Sequence, residues 1–223
     1  SYISFAFTEF LRTLEGVRDF RVNYRETNAL SVIKDVFEME NSLGIVRYQL
    51  ADEYYYMDML RERKLAFEPI LEFEYLALMS EGHPLAAKRN ADIGDFMRYT
   101  EIVHGDRFFP TLPRGESRAE AQAGEDRREI ALYERGSQME ILARVPGTYM
   151  WVSPMPPEVL SRFSLVQKRC PSADNRHKDI LIYRNGYSLS AEALAFIDKL
   201  RETAAYVSKC TAPRTRKNTD ILI

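Results

Sequence analysis

The sequence predicts an α/β protein of two lobes that share a cleft. Three observations carry this expectation. Residues 21–48 (RVNYRETNALSVIKDVFEMENSLGIVRY) read as strand, helix and strand. After His83-Pro84-Leu85-Ala86 the alternation of strand and helix restarts, and the second run is shaped like the first. Two segments, 67–73 leaving and 169–180 returning, link the runs, so a groove of the kind that holds small molecules falls between them. The lobes are expected at 1–70 with 180–210 and at 71–179, followed by a tail, 211–223.

Each element follows from local pattern. In 2–14, Ile3, Phe7, Phe10, Leu11 and Leu14 recur at helical spacing, Ser1 or Ser4 caps the start, and Gly16 ends the run. A strand ought to precede this helix in a β-α-β unit, so the first strand of lobe I is expected to be missing. The chain also begins with Ser rather than Met, as a processed or truncated one would. Val22 and Tyr24 alternate as in a strand. Thr27 and Asn28 offer side-chain oxygens where the next helix begins, and Ala29, Ile33, Val36, Phe37 and Glu40 share one face of it. Gly44-Ile45-Val46 is a buried strand with Arg47 and Tyr48 at its carboxyl end, the end where ligands bind in an open parallel sheet.

Residues 52–63 form a polar helix carrying Tyr54, Tyr55, Tyr56 and Met57. Residues 72–80 are expected as one inner strand, apolar on both faces. The second run is read as a helix at 93–97, a strand at 101–104, a loop at 107–115, a charged helix at 116–126 and a strand at 130–133. A helix from Gly136-Ser137 to Val145, a strand at 149–152 and a short helix at 158–163 follow. Strands near 164–168 and 179–184 lead to a last helix begun by Ser188 or Ser190, with Ala193, Phe196, Ile197 and Leu200 on one face.

Bulk properties exclude several classes. At 223 residues, 45% hydrophobic and 29% charged, the chain can bury a sizeable core. A net charge of −2 provides no basic field for nucleic acid. Cys170 and Cys210 lie far apart without metal spacing, and a reduced, cytoplasmic compartment is the default. No stretch approaches the ~20 apolar residues of a membrane span, and no signal peptide opens the chain. His104 has no second His or Cys at ligand spacing, and no nucleophile–base order, Gly-rich phosphate loop or carboxylate pair stands out. Neither enzyme chemistry nor a metal or cofactor is expected.

The segments RETNALSVIKDVFEMENSLGIVRY, FEYLALMSEGHPLA, ADIGDF and ILIYRNGYSLSAEALAFIDKLRE, in that order and spacing, resemble the effector-binding domain of LysR-type transcriptional regulators over residues 2–208. The resemblance implies two Rossmann-like lobes joined by two crossover segments, as in type II periplasmic binding proteins. It further implies a small metabolite between the lobes and no catalysis. The partners implied are a homodimer (a tetramer in the full-length protein) and DNA, the latter reached only through an amino-terminal helix-turn-helix outside this sequence. One departure is VPGTYMWVSP at 145–154, bulkier than the family's Gly-rich turn.

Carried over by position, the effector contacts would be Ser1, Tyr2, Ser4, Thr27, Asn28 and Arg47 in the first lobe. In the second they would be His104, Gly105, Asp106, Gly136, Ser137 and Ser153. Ser4, Asn28 and Ser137 would open helices whose free N–H groups favour a carboxylate, with Arg47 completing the site. The plain alternatives are helix caps for Asn28 and Ser137 and an exposed strand-end charge for Arg47. The resemblance also implies a dimer surface made by the first helix and the helix at 116–126. The apolar end, 220–223, is a candidate to fill the slot of the missing strand. A stand-alone solute-binding protein of the same design is the alternative function.

Overall fold

Local capping sets where the first helices begin. In α1 (Tyr2–Arg12) the Ser1 side chain accepts from the Ser4 amide while the Ser4 side chain returns the contact, a capping box. Gly16, at φ +86°, turns the chain out beyond the helix end. In α2 (Ala29–Phe37) Asn28 Oδ1 accepts the Ser31 N–H at 3.0 Å. Ile33 and Val36 face inward, whereas Phe37, expected on the same face, is half exposed. The computed structural model describes residues 1–106, 128–171 and 175–211. The loop expected at 107–115, the helix at 116–126 with its dimer surface, and the tail's last residues, 212–223, lie outside the described residues.

The smaller of two sheets has β8 (Arg176–Arg184) at its centre, flanked by β1 (Leu43–Gln49) and β2 (Leu65–Glu74), with antiparallel pairing on both sides. The parallel geometry expected around Arg47 therefore does not hold here. Between β1 and β2 the chain makes a 3-10 turn (Leu50–Asp52) and α3 (Glu53–Glu62), which buries Tyr56, Met57 and Leu60. One face of the sheet is covered by α2 and α3 over Val46, Tyr48, Leu65, Ile180 and Ile182. On the other side, α1 packs against α7 (Ala191–Thr211) through Tyr2, Ala6, Phe10, Phe196, Leu200 and Val207. Ser190 Oγ accepts the Ala193 N–H at 3.2 Å and marks the start of α7.

The strand expected at Val22 and Tyr24 does not form. A strand needs a neighbour to take its backbone hydrogen bonds, and β1 is an edge strand whose only ladder partner among the described residues is β8. Tyr24 instead stacks on Phe7, ring centroids 4.2 Å apart.

The larger sheet has the order β5 (Glu129–Leu132), β4 (Thr100–His104), β6 (Thr148–Val152), β3 (Leu76–Ser80), β7 (Leu165–Lys168). Its β4 is parallel to β5 and β6, while β3 is antiparallel to β6 and β7. Short helices α4 (Ile93–Phe96), α5 (Gln138–Arg144) and α6 (Pro157–Arg162) pack on it. Ala77, Met79, Phe96 and Tyr149 form one core, and Leu78, Ile102, Leu142, Met150 and Met155 the other.

The single strand expected at 72–80 is two strands of different sheets. The apolar run is continuous, but β2 pairs with β8 through Glu74 and β3 pairs with β6 from Leu76. Tyr75 is the crossing point: its N–H donates to the Asn175 carbonyl at 3.1 Å, Asn175 Nδ2 donates back to its carbonyl at 2.8 Å, and its ring stacks on His177 at 3.8 Å. The outgoing link expected at 67–73 is accordingly paired strand, and the return passes between Lys168 and Arg176.

Candidate functional site: the cleft between the sheets

In a sheet with parallel strands, ligands collect beyond the strands' carboxyl ends. For the large sheet those ends deliver His104 and Asp106 after β4, Glu134 and Arg135 after β5, and Ser153 after β6. Ser1, Ser4, Thr27, Asn28 and Arg47 face them from the small-sheet half across one groove of about 2120 Å³. That exceeds the ~300–1,000 Å³ of an ordinary small-molecule pocket, because the groove continues past the cleft along Phe7, Val22, Leu43 and Ile45 at the open edge of β1.

Nine of the twelve residues expected at the site line this groove: Ser1, Ser4, Thr27, Asn28, Arg47, His104, Asp106, Gly136 and Ser153. Tyr2, Gly105 and Ser137 are not among its lining residues. Tyr2 is fully buried beneath it and donates its hydroxyl to Asp179 Oδ2 at 2.7 Å. Gly105 lies against Tyr133, whose ring a Cβ there would approach to 2.7 Å. The Ser137 hydroxyl is bonded to the Glu134 carboxylate.

The charges of the cleft are largely answered by the protein's own groups. Arg47 forms two hydrogen bonds of 2.7 Å to Asp179, which has no exposed surface. Burial opposes the charge on Arg47, but Asp179 outweighs it and keeps the guanidinium's pKa above its usual value. The Arg47 guanidinium also lies 4.9 Å from the Phe73 ring centroid. The start of α5 is answered too. Glu134 accepts from the Gly136 N–H at 2.7 Å and the Ser137 N–H at 3.2 Å, and the Ser137 hydroxyl and these amides hold its pKa below the usual carboxylate range. Asp106 turns to Arg135, whose Nη2 is 2.9 and 3.0 Å from its two oxygens. Gln138 Nε2 lies 2.9 Å from His104 Nδ1.

Among the described residues, one buried side-chain polar group of the groove is left over. The Ser153 hydroxyl is buried and has no hydrogen-bond partner among the described residues. Among the described residues, no three His, Cys, Asp or Glu side chains gather to hold a metal ion, and no helix is long and apolar enough to cross a membrane.

Sequence reasoning missed Glu26, Glu134, Arg135, Gln138 and Asp179. Glu134 and Arg135 had a readable signal, because they follow a strand directly and precede Gly136-Ser137. Asp179 had none: it comes to the site only through the register that sets it opposite Arg47.

The fold is the two-lobed, periplasmic-binding-protein-like α/β fold. The structure is similar to effector-binding domains of LysR-family regulators. A BenM variant's effector-binding domain matches with TM-score 0.56 at 12% identity, over 93% of this chain and 90% of that one. The regulatory domain of CcmR from Synechocystis PCC6803, in complex with 2-PG, matches with TM-score 0.53 at 16% identity, over 91% and 93%. The effector-binding domain of QuiR in complex with shikimate matches with TM-score 0.51 at 15% identity, over 91% and 90%. No protein-family model matches the sequence. No curated protein matches it either.

Proposed function

We propose that this chain is the ligand-sensing domain of a LysR-type transcription regulator. It binds a small, carboxylate-bearing metabolite between its lobes, and occupancy alters DNA binding by the longer, homo-oligomeric, cytoplasmic protein of which it is part. The observation that carries the reading is the groove itself. It lies between two sheets joined at Tyr75 and between Lys168 and Arg176, and it holds a buried Ser153 hydroxyl that has no hydrogen-bond partner among the described residues. The likeness to domains solved with shikimate and with 2-PG supports a ligand of that size.

The domain reports binding without transforming what it holds. A ligand shifts the arrangement of the halves only by the difference in its affinity for two arrangements, and Tyr75 is the narrow crossing about which they can turn. The test is thermal-shift screening with a metabolite collection, read alongside the fluorescence of Trp151, the only tryptophan and a lining residue of the groove. A true effector at a hundred times its Kd adds about 2.7 kcal/mol of stability and changes the Trp151 emission. A broad collection in which nothing stabilises the protein, or turnover of any compound that binds, would overturn the reading.

A further inference from the structure

Arg135 stands between two carboxylates that belong to different halves of the molecule. Its Nη2 bonds both oxygens of Asp106, on the turn after β4 in the large-sheet half. Its Nε faces Glu26 Oε2 at 3.7 Å, and Glu26 belongs to the segment leading into α2 on the small-sheet half. The two contacts differ in kind. At 2.9–3.0 Å Asp106 is hydrogen-bonded, whereas 3.7 Å is too long for a hydrogen bond and leaves only coulombic attraction.

Glu26 is nevertheless held in place. Tyr24 donates to its Oε1 at 2.6 Å, and the Tyr24 ring is stacked on Phe7 of α1. None of the three charged side chains is more than 30% exposed, so water screens them only in part. Arg47, the arginine expected from the sequence at the cleft, spends both of its bidentate bonds on Asp179. Arg135, unlike Arg47, thus has a second carboxylate that is held only loosely.

We propose that Arg135 is the residue that recognises the effector's carboxylate, and that Glu26 is its resting substitute. This rests on the ligand-sensing reading above. An incoming carboxylate reaches the Nε side of Arg135 at full hydrogen-bond distance, displaces Glu26, and so undoes an ion pair tying one half to the other. The geometry also sets a specificity. Asp106 keeps the Nη2 edge, so one carboxylate is accommodated, and a second would meet the surplus negative charge of Glu26 and Asp106.

The test uses sodium acetate as the probe, titrated against sodium chloride at equal ionic strength. The readout is the Arg135 Nε–H resonance in nitrogen-15 spectra of the protein and of its Glu26→Gln and Arg135→Lys variants. The resonance should move saturably with acetate and not with chloride. Glu26→Gln removes the competitor and should lower the acetate half-saturation at least threefold. Arg135→Lys, followed through the Gln138 side-chain amide, should lose the response. Equal effects of acetate and chloride, or a half-saturation unchanged or raised by Glu26→Gln, overturn the proposal. The two readings fail separately. Metabolite hits that bind Arg135→Lys as tightly as the parent protein would remove Arg135 and leave ligand sensing standing. An acetate response with no metabolite hit would overturn the ligand-sensing reading, and with it Arg135 as effector receptor, leaving only a carboxylate site.

Discussion

Arg47 and Asp179 stand opposite each other on the antiparallel strands β1 and β8, and their side chains close two hydrogen bonds of 2.7 Å. A third group joins them from below, the buried Tyr2 hydroxyl. This pair ties α1, β1 and β8 together directly under the cleft, which makes Arg47 a structural member of the site before any ligand arrives.

The pair should break asymmetrically. Arg47→Ala strands Asp179, with no exposed surface and, among the described residues, Tyr2 as its remaining side-chain partner, and should cost roughly 3–5 kcal/mol. Asp179→Ala leaves Arg47, a quarter exposed and lying over Phe73, able to reach water. Its cost should be about 1–3 kcal/mol, chiefly for the bonds lost. Urea unfolding of both variants measures the difference, and equal losses would count against a buried charge as the cause.

Gly44 of β1 lies close against α2. A Cβ there would lie 2.4 Å from Val32 Cγ1, with Val36 and Ile182 also near. Gly44→Ala should therefore cost about 1–3 kcal/mol through overpacking, and Val32→Ala in the same chain should recover part of it. At Gly105 the crowding atoms belong to the Tyr133 ring, which is 79% exposed and free to swing aside. Gly105→Ala should accordingly stay within about 0.5 kcal/mol of the parent. Thermal unfolding of the variants separates a fixed neighbour from a yielding one.

Asn28 lines the groove, yet its Oδ1 is occupied by the Ser31 amide. Asn28→Ala should lower stability by about 1 kcal/mol, and Asn28→Ser, which can still cap, should restore most of that. If neither variant changes the unfolding midpoint, the capping account of this residue fails.

His83 predicts a pH dependence. It is buried, its Nδ1 accepts the Leu85 N–H at 3.1 Å, and burial lowers its pKa below the ordinary 6.5. The unfolded chain therefore takes up a proton more readily than the folded one. Stability is unaffected by this group above 6.5 and falls as pH drops below it, levelling off once the folded imidazole also protonates. Unfolding measured from pH 7.5 to pH 5 in the parent and in His83→Gln checks this. The variant should lose that part of the slope, and an identical slope would assign it to other groups.

What was legible in the sequence was whatever depends on near neighbours. Ser1 and Ser4 announced α1, Asn28 announced α2, and the apolar faces of Ile33 with Val36 and of Phe196 with Leu200 matched the helices' buried sides. The β-α-β restart after Ala86 likewise announced a second sheet, because the periodicity of a strand or helix is written in its own side chains. Periodicity does not name a strand's partner. Nothing in 72–80 marks Tyr75 as the change of sheet, and nothing around Val22 shows that, among the described residues, no strand pairs with it. The electrostatics of the cleft were hidden for the same reason. Whether Arg47 or Arg135 is open to a ligand depends on Asp179, 132 residues away, and on Asp106, 29 residues away, and only the folded register brings those carboxylates within bonding distance.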